Sequence, residues 1–183
     1  MQSEKSLIER CIKEEGKAQK ELYDLYAPAM MVVAMRYSKS DQEAEDVLQE
    51  AFIKVFEKLG SYRGEAGLKF WIKRIVVNTA LNHQRSKLYM FPMVDVNDLK
   101  EAKDSDISLA DFHFKELLSF IQELPSGCQT IFNLYAIEGY THKEIGDMLE
   151  VSVGTSKSQY ARAKQLLKDQ INKEDILSYE KAK

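Results

Sequence analysis

The sequence predicts an all-α protein made of two small helical domains joined by a flexible acidic linker. Three observations carry that reading. Apolar residues recur at helical spacing along most of the 183 residues. Gly and Pro are scarce, eight and three respectively, which favours long helices over many tight turns. Periodicity fails between Tyr89 and Ser108, where Pro92 and four Asp residues interrupt the chain. No alternating strand pattern and no internal repeat is visible. The domains expected are 1–88, a linker over 89–110, and 111–183.

Leu22, Leu25 and Tyr26 belong to a first helix, which Pro28 should kink or restart ahead of the apolar run Ala29 to Met35. Ala44, Val47, Leu48, Ala51, Phe52, Val55, Phe56 and Leu59 then keep helical period for four turns. Ser40 or Asp41 can cap the start, and Gly60 lies just past the end. Gly60 to Gly67 reads as a loop. The next helix runs from about Leu68 to Lys87. Leu68, Trp71, Ile72, Ile75, Val76 and Thr79 form its apolar side, and Arg74, Asn78, Asn82 and Arg85 a polar stripe. Beyond the linker, Leu117, Phe120, Ile121 and Leu124 mark a helix that Pro125 ends. Cys128, Ile131, Phe132 and Tyr135 mark another. Thr141 to Leu149 and about Val153 to Ile171 complete the set, with a polar tail from Asn172 that should fray.

Composition excludes several classes. Hydrophobic residues at 44% and charged residues at 30% suit a folded protein rather than a disordered one. No apolar run approaches the ~18 residues a membrane span needs, so no membrane insertion is expected. The opening residues lack the basic and apolar regions of a secretion signal. Cys11 and Cys128 stand far apart with no metal-ligand spacing. A disulfide framework or zinc site is therefore not expected, and the chain reads as cytoplasmic. No cofactor motif appears.

The net charge of −3 conceals a sorted pattern. Asp41, Glu43, Glu45, Asp46 and Glu50 form an acidic stretch. Arg63, Lys69, Lys73, Arg74, Arg85 and Lys87 come next, opposed only by Glu65. Six acids between Asp95 and Asp111 face Lys100 and Lys103. Ser152 to Lys168 holds Lys157, Arg162, Lys164 and Lys168 with no acid. Alternating acidic and basic surfaces suit more than one kind of partner.

Three features carry function. Thr141 to Glu144 matches a capping box, Gly146 allows close approach of a second helix, Val151 plugs the turn, and Ser152 can cap the last helix. This is a helix-turn-helix candidate. Its second helix opens with short polar groups and Lys157, including Thr155, Ser156 and Gln159, suited to base edges in a major groove. Arg162 and Lys164 suit phosphates. A plain helical hairpin with a solvated basic face is the alternative. On the polar stripe, Asn78 and Asn82 can read bases while Arg74 and Arg85 hold phosphate, unless the stripe is only a solvated face. Phe70 and Trp71 could stack on unpaired bases, though Trp71 at helical spacing also suits a core. Asp46, Gln49 and Glu50 make an acidic docking edge for a basic protein surface. The acids nearer the helix start are explained by the macrodipole alone.

Together these motifs resemble a bacterial RNA polymerase sigma factor of the sigma-70 family, extracytoplasmic-function (ECF) group. The resemblance rests on Asp46, Gln49, Glu50 and Phe52; on Arg63 and Gly64; on Phe70, Trp71 and Ile72; on Asn78 to Ala80; and on Glu144 to Gly146 with Val153 to Thr155. It covers about Leu22 to Leu167. It implies a region 2 domain and a region 4 domain. Asp46, Gln49 and Glu50 would dock on the β' clamp helices of core RNA polymerase. The Gly60–Gly67 loop with Arg63 would capture an unstacked base of the promoter −10 element. Asn78 and Asn82 would read and help open that element. The helix from Val153 would read the −35 element while region 4 rests on the β flap. The acidic linker would thread the RNA exit path. An anti-sigma partner is common in the group. Two residues depart from its pattern, Gln129 where Arg is frequent and Ser156 where an apolar residue is common.

Elementary electrostatics agrees. If the recognition helix neutralises about four phosphates, the salt slope is only about −3.6. An acidic chain of this kind should bind duplex weakly without a larger machine to dock on. Twenty extended linker residues reach roughly 65–70 Å, enough for two DNA sites up to two turns apart at roughly 34 Å each. The competing readings are a conventional helix-turn-helix regulator acting without polymerase, and a small helical enzyme using Asp46 with Glu50. The first would need a dimerisation helix or effector pocket. No nucleophile, metal or phosphate motif supports the second.

Overall fold

The computed structural model describes the backbone of residues 4–65, 67–88 and 114–181, and the side chains of 4–65, 67–84 and 115–172. Every regular element among them is helical. In chain order they are α1 (Glu4–Ile12), α2 (Gly16–Tyr37), α3 (Asp41–Lys58), a 3-10 turn (Leu59–Ser61), α4 (Leu68–Leu88), α5 (Phe114–Glu123), α6 (Ser126–Phe132), a π-helical turn (Asn133–Ile137), α7 (His142–Leu149) and α8 (Val153–Lys181). The chain divides into two compact units, Met1–His83 and Gln84–Lys183. The linker expected at 89–110 lies outside the described residues.

In the first unit, α2 and α3 pack along their length. Their buried stripes are Ala18, Leu22, Met30, Val33, Ala34 and Tyr37 on one side, and Ala44, Val47, Leu48, Ala51, Phe52 and Val55 on the other. Tyr23 meets Phe52 edge to face, with ring centroids 4.7 Å apart. α1 adds Leu7 and Cys11, and Tyr26 donates from its hydroxyl to Glu4 at 3.0 Å. The start of α3 agrees with the sequence expectation. The Ser40 hydroxyl accepts from the Glu43 amide at 3.2 Å, and Glu43 accepts from the Lys39 amide at 2.8 Å.

Of the kink or restart expected at Pro28, the structure shows no restart. The helix runs unbroken from Gly16 to Tyr37, with Pro28 on its exposed side. A proline removes one backbone donor and crowds the carbonyl four residues earlier, a cost that packing elsewhere on the helix must offset. Burial of Ala27, Met30, Val33 and Ala34 holds the helix together around it. Leu25 faces outward at 61% exposure.

The second unit has its own core of Phe120, Ile121, Leu124, Cys128, Phe132, Ala163 and Leu167, with Leu117, Tyr160, Leu166 and Ile171 packed around it. After α6 the helix widens to a π turn, in which the Glu138 amide bonds the Asn133 carbonyl at 2.9 Å. Leu134 is fully buried, and Tyr135, expected on the core side, is 38% exposed. α8 continues to Lys181, where the sequence suggests fraying from Asn172.

Candidate nucleic-acid and docking interfaces

α3 turns its polar face outward. Asp46 and Gln49 are exposed, while Glu50 is half-exposed. Glu50 is not simply presented to solvent. One carboxylate oxygen takes Lys54 Nζ at 2.6 Å, and the other pairs with His83 Nε2 of α4. The Lys54 hydrogen bond first, and His83 second, hold the Glu50 carboxyl below its usual range. Next to this edge, Tyr23, Asp24, Ala27, Pro28 and Met31 of α2 face Glu45, Leu48 and Gln49 across an open groove of about 420 Å³.

α4 buries Leu68, Ile72, Val76, Thr79 and Ala80, which leaves Arg74, Asn78 and Asn82 on the exposed side. Thus three members of the expected stripe share an open face; the side chain of Arg85 lies outside the described residues. Phe70 is 65% exposed, with Lys73 Nζ 5.8 Å from its ring. Trp71 is half-buried against Tyr62, at 5.4 Å between ring centroids. Of the two aromatic candidates, Phe70 is therefore the more exposed. Arg63 is exposed in the loop ahead of α4, beside Gly64 at φ +76°.

In the second unit α7 and α8 form a helix-turn-helix built as the sequence suggests. The Thr141 hydroxyl accepts from the Glu144 amide at 3.3 Å, and Glu144 accepts from the Thr141 amide at 2.8 Å. The latter bond, with the hydroxyl, keeps the Glu144 carboxyl below its usual range. α7 ends at Glu150, whose left-handed φ of 58° reverses the chain. The turn then folds onto Gly146, whose carbonyl accepts from the Val151 amide at 3.1 Å. A Cβ on Gly146 would lie 2.8 Å from the Val151 carbonyl oxygen. Ser152 caps α8, accepting from the Thr155 amide at 2.9 Å.

The expected reading face of α8 needs correction. Ser152 and Lys157 are exposed, and Thr155, Arg162 and Lys164 are half-buried. Ser156 is fully buried and its hydroxyl lies 2.9 Å from His142 Nδ1. It faces α7 and cannot touch DNA. Its polar character, unusual at a packed position, is explained by that hydrogen bond. Gln159 accepts from the Cys128 thiol at 3.0 Å, which draws its amide oxygen back toward α6. Lys164 Nζ lies 5.2 Å from the Tyr160 ring. The sequence shows His142 only as a member of the capping motif. In the structure it stacks on Tyr135 at 4.2 Å and meets Ser156. Burial, then Lys157, pushes its pKa below the usual histidine value.

Gln129, like Ser156 a departure from the expected pattern, is fully buried on α6. Among the described residues no group of three His, Cys, Asp or Glu side chains is placed to hold a metal ion. Cys11 and Cys128 are buried and form no disulfide.

A helical unit with an exposed Asn/Arg face, and another carrying a helix-turn-helix, define an all-α protein of two modules. Comparison with known proteins gives the particular family. Residues 22–88 match sigma-70 region 2, and residues 114–167 match sigma-70 region 4. The RNA polymerase sigma-H factor of Pseudomonas aeruginosa is 29% identical over 182 residues, spanning 91% of this chain and 92% of that one. The ECF RNA polymerase sigma-E factor of Haemophilus influenzae is 29% identical over 182 residues, spanning 92% and 95%. A solved sigma factor, RpoE of Bartonella quintana in complex with the anti-sigma factor NepR, shares the fold at a TM-score of 0.52 and 20% identity, covering 84% of this chain and 96% of that one. The chain belongs to the sigma-70 family, in its ECF group.

Proposed function

We infer that this chain is a promoter-specificity subunit: it binds core RNA polymerase and directs initiation from promoters bearing matching −10 and −35 elements. The observation that carries this is the presence, in order, of region 2 and region 4 modules in one chain. A conventional helix-turn-helix regulator has no need of the first.

Within that function, residues 1–88 dock and read the −10 element, 89–110 link, and 111–183 read the −35 element. The exposed pair Asp46 and Gln49 meets the β' clamp helices; Glu50, turned back to Lys54 and His83, stands apart from that contact. Asn78 and Asn82 read the −10 element, Arg74 and Arg85 hold its backbone, and Arg63 and Phe70 receive an unstacked base, with Trp71 supporting the loop. Ser152, Thr155 and Lys157 lead the −35 contacts, and Arg162 and Lys164 hold phosphates. The chain contributes recognition and no chemistry of its own, and it works in the cytoplasm beside the polymerase. An anti-sigma protein is the natural counter-partner, as for the Bartonella factor.

The test is transcription by reconstituted core polymerase on a promoter library. Wild-type protein should select a distinct promoter set, and Asp46→Ala with Gln49→Ala should abolish that selection by loss of core binding. Tight sequence-specific duplex binding without polymerase, and no effect on transcription with it, would favour the conventional regulator.

A further inference from the structure

Glu50 and Lys54 stand one turn apart on α3. Thr79 and His83 stand one turn apart on α4. The two pairs interlock. The Glu50 carboxylate binds Lys54 at 2.6 Å and His83 Nε2, and Lys54 Nζ reaches the Thr79 hydroxyl at 3.4 Å. Each gripped residue of α4 directly succeeds one of the exposed asparagines: Thr79 comes after Asn78, and His83 after Asn82.

That juxtaposition has a geometric consequence. Successive residues in an α-helix are turned by about 100° around its axis. Fixing positions 79 and 83 against α3 therefore fixes where positions 78 and 82 point. Apolar burial is non-directional and tolerates a rotated helix better than a hydrogen-bonded contact does. Thr79 is 1% exposed, whereas Asn78 and Asn82 are exposed, as this arrangement requires. Both Glu50 oxygens are already engaged inside the chain, while Asp46 and Gln49 on the same helix face outward.

We propose that Glu50, Lys54 and His83 are positioning residues: they clasp α4 to α3 and set the rotation that presents Asn78 and Asn82 to the −10 element. Polymerase docking belongs to Asp46 and Gln49. The clasp ties the docking helix to the reading helix, so a holoenzyme seated on α3 holds the asparagines in register. This rests on the assignment of α4 as the −10 reader.

The experiment uses holoenzyme assembled from core polymerase and the full chain. Two quantities are measured: affinity for core, and the ratio of open-complex formation on a matched promoter to that on one with a substituted −10 base. Glu50→Ala and His83→Ala should each lower the ratio by about five- to tenfold, with core affinity unchanged within about twofold. The double variant should fall short of the product of the two single effects, because both substitutions remove the Glu50–His83 contact. Glu50→Gln, which keeps an acceptor oxygen, should recover most of the ratio, and thermal melts of Glu50→Gln and His83→Gln should match wild type. A fall in core affinity at an unchanged ratio would make Glu50 a polymerase contact and overturn the proposal. So would additive effects, or Glu50→Gln as damaging as Glu50→Ala. Asn78→Ala and Asn82→Ala separate the two levels. If they lower the ratio and the Glu50 and His83 variants do not, the clasp alone is wrong. If they leave the ratio intact, the assignment of α4 falls and the clasp with it.

Discussion

Replacing Gly146 with alanine puts a methyl carbon 2.8 Å from the carbonyl oxygen of Val151. In an ordinary helix interior this change stabilises by about 1 kcal/mol, because glycine gives up more backbone entropy than alanine. Here the obstructing atom is backbone, so a side chain cannot swing aside. The turn and the start of α8 must retreat by roughly half an ångström, an overpacking that costs about 1–3 kcal/mol. Taking about 2 kcal/mol for the clash and subtracting about 1 for propensity leaves the second unit about 1 kcal/mol less stable. For a unit of this size that is a drop in Tm of about 4–8 °C. The same retreat stretches the Val151 amide bond to the Gly146 carbonyl, 3.1 Å in the wild type, and reorients the helix that carries Lys157. The assay is thermal unfolding monitored by circular dichroism, paired with −35 selectivity of the reconstituted holoenzyme. A Tm equal to or above wild type would refute the close approach, because the propensity gain would then be unopposed.

The same geometry sets other outcomes. Asp46→Ala with Gln49→Ala removes two exposed side chains and should lower core affinity at least about tenfold, roughly 1.4 kcal/mol, with Tm unchanged; gel-shift titration of core measures it. Lys157→Ala should weaken promoter binding by holoenzyme and reduce the salt slope by about 1 if the ammonium meets phosphate, read from binding isotherms across salt concentrations. His142 is held below its ordinary pKa of 6.5, chiefly by burial. The folded unit therefore binds fewer protons than the unfolded chain. Stability is full above pH about 6.5, falls as pH drops below it, and levels off once the folded pKa is passed. A histidine-ring NMR titration should place the His142 midpoint below 6.5, and His142→Gln should remove its share of the acid destabilisation. A midpoint at or above 6.5 would contradict the half-buried, Lys157-facing placement.

Legibility in the sequence tracks local physics. The α3 stripe from Ala44 to Leu59, the Asn78–Asn82 face of α4 and the Thr141 capping box all obey rules that act within one helix, and each is readable. The features that escape depend on other elements. Pro28 reads as a kink or restart because its local cost is visible, while the burial of α2 against α3 is not. Tyr135 reads as inward-facing, but its ring lies 38% exposed against His142 and Tyr160, partners that other helices supply. Ser156 reads as a base-reading hydroxyl until His142, fourteen residues earlier, is seen 2.9 Å away. Gln159 likewise answers Cys128 on another helix. The link from Glu50 to His83 spans two helices. Its trace in the sequence is the matched one-turn spacing of Glu50 with Lys54 and of Thr79 with His83, which gains meaning only when the helices face each other.

The central claim is that recognition modules in both units act on promoter DNA through a borrowed polymerase. The most direct measurement is multi-round transcription with purified core polymerase, with and without this chain, on a library of promoter sequences. The account predicts transcripts only from a subset with a shared pair of elements, lost when Asp46 and Gln49 are both replaced by alanine. Transcript levels indifferent to the chain, beside tight binding of the isolated chain to duplex, would contradict it.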